Sequence, residues 1–157
     1  HSFPTRRSSD LLTVPSDAFR RLLAGYRARV AVADLEGAEA YAAEIDAWLD
    51  HHRYPTPNEW ATMLAAVGLK LRRARYYVAP QAVALWDRAN TSFGVRETDR
   101  LAPFRWLVSP RLRSWGYQHQ IRDWVVRRWA ERWRDVYEMD VPEGGVGGGL
   151  LVVGEKL

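Results

Sequence analysis

The chain has 157 residues, 47% of them hydrophobic, with no cysteine. That length suits one ordinary domain with a real core; the lack of cysteine excludes disulfides and thiolate metal sites and fits a reducing, cytoplasmic setting, and no apolar run approaches the ~20 residues of a membrane span. Charge is uneven: residues 51–134 carry sixteen basic and six acidic side chains (net +10), against net −3 over 12–50 and net −4 over 135–157, so the centre has the balance that a polyanion partner requires.

Arginine accounts for 21 of the 23 basic residues. That ratio looks like GC-rich codon usage, so the arginine count is a weaker signal than its size.

Residues 1–11, HSFPTRRSSDL, reverse-translate into a common short-read sequencing adapter. They are expected to be a disordered artefact fused to a metagenomic gene fragment and are set aside. Arg6 and Arg7 are therefore not counted as a nucleic-acid-binding arm. After Pro15-Ser16-Asp17, which offers helix caps, the stripe Phe19, Leu22, Leu23, Tyr26 and Val30 predicts a helix to about Ala33. A second helix follows from Ala38, Tyr41, Ala42, Ile45, Trp48 and Leu49, lasting to about His52. Asp34 as a cap favours a break between the two over one continuous helix.

Thr56-Pro57-Asn58-Glu59 is the best local signal. Thr caps, Pro takes the first helical position, and Glu reaches back to close a capping box. The helix it opens should bury Trp60, Met63, Leu64 and Val67 and stop at Gly68.

The next segment, LKLRRARYYV (Leu69–Val78), fits a strand or a helix equally. A helix is read over Gln81–Asn90. After a loop, short helical pieces near Thr98 and Ser109-Pro110 lead to a long helix within Ser114–Asp140. Residues 143–157 read as a Gly-rich linker and tail, in which Leu150–Val153 could be a short strand that starts another domain or part of a disordered tail. A phosphate loop is rejected there because Glu155 stands where that motif needs lysine.

The fold expected is all-α: a bundle of five to six helices over 12–142, with a short strand admitted near 70–78. Its core should hold Phe19, Leu23, Tyr26, Ile45, Trp48, Trp60, Leu64, Ile121, Val125, Trp129 and Trp133.

Two constellations compete for function. The first is Lys70, Arg72, Arg73 and Arg75 with Tyr76 and Tyr77, where cations can neutralise phosphates while the tyrosines stack on bases or pack inward. Arg111 and Arg113 would support it. The order of helix, Gly68 and basic segment is loosely similar to a helix-turn-helix. Read as strand then helix, Lys70–Ala89 is loosely similar to the closing part of a winged-helix domain. Neither likeness names a family.

The second constellation is the long C-terminal helix, whose apolar arc spans about 220°. Trp124, Trp129 and Trp133 on it are residues of the type enriched at protein interfaces. Its arginines have intrahelical partners in Asp123–Arg127, Arg132–Asp135 and Arg134–Glu138.

His51 and His52, being adjacent, point apart and lack metal-ligand spacing; the helix dipole would favour their charged form. Glu39, Glu44 and Asp46 read as solvated. Nothing in the sequence marks a nucleophile, a cofactor or a metal site. The leading expectation is a non-enzymatic nucleic-acid-binding module. The alternative is a structural or assembly protein that self-associates or docks a protein partner through the Trp-rich helix.

Overall fold

The computed structural model describes residues 9–108 and 118–156. Its elements in chain order are β1 (Ser9–Pro15), α1 (Phe19–Leu22), α2 (Ala24–Ala31), α3 (Leu35–Leu49), α4 (Pro57–Ala66), β2 (Leu69–Tyr77), α5 (Pro80–Phe93), α6 (Arg105–Val108), α7 (Gln118–Tyr137) and β3 (Gly149–Lys156). The all-α expectation is corrected: the fold is mixed, with seven described helices and a three-stranded antiparallel sheet ordered β1-β3-β2.

The central strand comes from the segment read as linker and tail. In β3 the run Leu150-Leu151-Val152-Val153 is apolar on both faces, with Leu150 and Val152 buried and Leu151 and Val153 half-buried. It pairs with β1, Leu12 opposite Val152, and with β2, Ala74 opposite Val152. The glycines before it are close-packed positions. A Cβ on Gly147 would come within 2.6 Å of the Tyr77 carbonyl oxygen, and one on Gly149 within 2.5 Å of the Tyr77 ring. Ser9, Asp10 and Leu11, inside the segment set aside as artefact, extend β1 along β3.

One face of the sheet is covered. Leu150 and Val152 are fully buried against Leu64 of α4, with Val14, Trp60, Leu69, Leu71, Ala74 and Tyr76 packed around them. The α4 helix is held by the capping box the sequence announces: the Glu59 amide donates to Thr56 Oγ1, and the Thr56 amide donates to Glu59 Oε2 at 2.7 Å. Gly68, at φ 76°, then reverses the chain into β2.

A second core joins α1, α2, α3 and α5 around Leu23, Tyr41, Ile45 and Val83. The first predicted helix is split at Leu23, which is extended and fully buried. Asp34 caps α3 through the Gly37 amide. Trp48 and Ile121, expected in the core, are 40% and 44% exposed. The two cores meet where β1 ends: the buried Ser16 amide donates to the Gly148 carbonyl at 3.1 Å and its hydroxyl to the Gly147 carbonyl at 2.5 Å. Among the described residues no helix is long and apolar enough to cross a membrane.

Because β3 is central, truncating its buried side chain should open a cavity between sheet and α4. Leu150→Ala is expected to cost about 2–5 kcal/mol, measured by urea denaturation. A loss within the surface range of about 0.5 kcal/mol would contradict the assignment of this segment to the core.

Candidate nucleic-acid interface

The basic segment is an edge strand, and a bulge decides which way its side chains point. Strict alternation would put Arg73 and Arg75 on the Leu69 side and Arg72 opposite. In the structure Leu71 faces Gly154 and Arg73 faces Val153, leaving Arg72 as an extra residue. Such a bulge shifts the pleat by one. Leu69, Leu71, Ala74 and Tyr76 therefore turn inward, while Lys70, Arg72, Arg73, Arg75 and Tyr77 are exposed.

The cations share their face with Leu151 and Val153 of β3 and with Leu11 of β1, the last 63% exposed. Among the described residues, the packing on the sheet from α4 is on the opposite side. A groove of about 530 Å³ runs beside the free edge of β2, between Arg73–Tyr76 and Val141–Gly145.

Two of the four cations have acidic partners, both exposed. Arg72 Nε lies 3.0 Å from Glu155, and Arg75 lies 3.9 Å from Asp140. Exposed pairs of this kind are worth a few tenths of a kcal/mol up to about 1, so an incoming phosphate can displace them. Lys70 and Arg73 make no ion pair among the described residues. Arg111 and Arg113 lie outside the described residues.

Tyr76 and Tyr77 fall on opposite sides of the sheet. Tyr76 joins the core beneath the sheet, and its hydroxyl donates to Asp17 at 2.7 Å. Burial, with that hydrogen bond, pushes its pKa up to about 12. Tyr77 stands on the basic face instead, opposite Gly149. The signal that could have found this is the Arg72-Arg73 pair: two successive charged residues in a strand that has one apolar face require a bulge. The helix-turn-helix likeness has no second helix, since the element after Gly68 is a strand.

The net charge of the middle third does not all gather here. Arg96 is almost fully buried, bidentate to Asp99 at 2.8 and 2.9 Å and 3.6 Å from Glu44. Beside it, Asp87 is buried and accepts from the Gly25 amide at 2.8 Å and from the Tyr41 hydroxyl at 2.5 Å. Burial first, then that bond, raises Tyr41 to about 12. Each carboxylate in this cluster already holds a partner, so the cluster ties α2, α3, α5 and the 96–99 turn together.

Asp46, read as solvated, is also buried: Arg20 and the Tyr54 hydroxyl both donate to it. His51 lies beyond the left-handed Asp50 and packs against Phe19 and Tyr54. Burial lowers its pKa, against the charged form expected from the dipole. Among the described residues no group of three or more His, Asp or Glu is placed to hold a metal ion.

On α7, Trp124 is 62% exposed, while Trp129 and Trp133 are half-buried. Trp129 packs against Phe93 of α5. The intrahelical ion pair seen is Arg128–Glu131, at 3.7 Å. Arg127 reaches the Asp123 carbonyl oxygen, not its carboxylate. Comparison with protein-family models, curated proteins and solved structures gave no match.

The buried tyrosines set an alkaline limit. An unfolded tyrosine ionises near 10, and folded Tyr41 holds its proton to about 12. The stability tied to that proton is complete below pH ~10 and is lost as pH rises through 12. Urea midpoints measured across this window should fall with pH, and less steeply in Tyr41→Phe. Equal slopes would remove Tyr41 as the cause.

Proposed function

We propose that the outer face of the sheet is a non-enzymatic nucleic-acid-binding surface. The observation that carries this reading is the bulged strand, which presents Lys70, Arg72, Arg73 and Arg75 together on a face no described helix packs against. Cations in a row neutralise successive phosphates and release condensed counterions. Adjacent Leu151 and Val153 add apolar area that bases or sugars can cover. Glu155 and Asp140 lower the local charge, and they also supply a reason for selectivity: a ligand must offer enough phosphates to replace both.

Three to four phosphates neutralised correspond to a slope of log K against log salt of about −2 to −4. Arg73→Gln should reduce that slope by about one and weaken binding uniformly across sequences. Fluorescence anisotropy over a salt series measures both. A slope near zero would contradict the reading.

A second reading has its own observation, the exposure of Trp124 on a helix whose described packing partner is α5. On this reading α7 mediates self-association. Analytical ultracentrifugation would then show an oligomer that Trp124→Asp dissociates; a monomer at high concentration would contradict it.

A further inference from the structure

Tyr77 is the one aromatic ring among the described residues of the sheet's outer face, and the backbone beneath explains its posture. It pairs with Gly149 across the strands. A Cβ at that glycine would sit 2.5 Å from Tyr77 Cε1 and 2.6 Å from Cζ. The ring therefore lies across the glycine backbone, in the space a side chain would fill. The residue as a whole remains 38% exposed. An aromatic ring that lies against a sheet and is partly exposed can serve as a stacking platform, because every base has a π-face to offer.

The cations run away from this ring along the same strand. Residues two apart on a strand are separated by about 6.6 Å, close to the pitch at which an extended single strand places successive phosphates. Lys70 to Arg72 and Arg73 to Arg75 are both such steps. A closed duplex could meet the cations, but its bases are stacked on one another and cannot reach Tyr77.

We infer that the ligand of this face is single-stranded nucleic acid, with one base stacked on Tyr77 and the backbone tracking Arg75, Arg73, Arg72 and Lys70. The inference rests on the assignment of this face to nucleic acid, and it adds the strand state of the ligand and the choice of Tyr77 over Tyr76 as the stacking residue.

The test uses the full chain, a labelled oligo-thymidine of about 12 nucleotides and a duplex of equal length. The single strand should bind more tightly than the duplex. Tyr77→Leu should weaken the single strand by about tenfold without changing its salt slope, while Tyr77→Phe retains binding and duplex affinity stays unmoved. Equal affinity of wild type and Tyr77→Leu for the single strand, or a duplex bound at least as tightly, overturns the inference and leaves the sheet-face reading standing. Salt-independent binding, or none, for both probes overturns that reading and the inference with it. Should Tyr77→Leu not fold, wild-type protein irradiated with an iodouracil-substituted strand decides: an adduct on Tyr77 supports the stacking, and adducts confined elsewhere overturn it.

Discussion

The architecture depends on the pairing of β3 with one strand from the start of the described chain and one from its middle. The apolar run Leu150–Val153 finds a neighbour on each side, and its Leu150 and Val152 side chains disappear against α4. Once that face is fixed as the buried one, the pleat leaves no choice for the other. The side chains of β2 must sort into those that join the core and those that meet water. The bulge at Arg72 lets two successive arginines fall on the wet side without forcing Ala74 or Tyr76 out of the core. The grouping of positive charge is thus a by-product of burying Leu71, Ala74 and Tyr76.

The helical half is held by a different kind of interaction. Asp87 satisfies an amide of the first turn of α2, where Leu23 supplies no side-chain cap, and takes the Tyr41 hydroxyl on its other oxygen. Gly25 is required there because any side chain would strike the Tyr41 ring. Arg96 closes the cluster, with its guanidinium over the same ring at 5.0 Å. Buried carboxylates paired in this way favour one arrangement of helices over others, although the Arg96 Nη1 group, 3.6 Å from Glu44, has no hydrogen-bond partner of its own. Ser16 and the glycines before β3 then lock this half onto the sheet.

Features decided within one turn of chain could be read from the sequence. The capping box at Thr56–Glu59, the Asp34 cap and the stop at Gly68 depend on residues three or four apart, and each stands where the sequence puts it. The sheet could not be read this way. Its central strand pairs with partners more than seventy residues distant, and the run GGVGGG has the composition of a loose tether although its last three residues are packed against Tyr77, Val78 and Val83. Local periodicity also left open which tyrosine packs inward, because the phase of β2 changes at a bulge that only the partner strand defines. Asp46 looked solvated for a related reason: its partners, Arg20 and Tyr54, come from other elements.

Amide hydrogen exchange along Leu150–Val153 tests the central claim most directly. A strand with partners on both edges, covered on one face, should exchange as slowly as the buried turns of α3. Exchange of these four amides at the rate of an unstructured peptide would contradict the account, since without β3 between its neighbours β2 has no reason to turn its cations to one side.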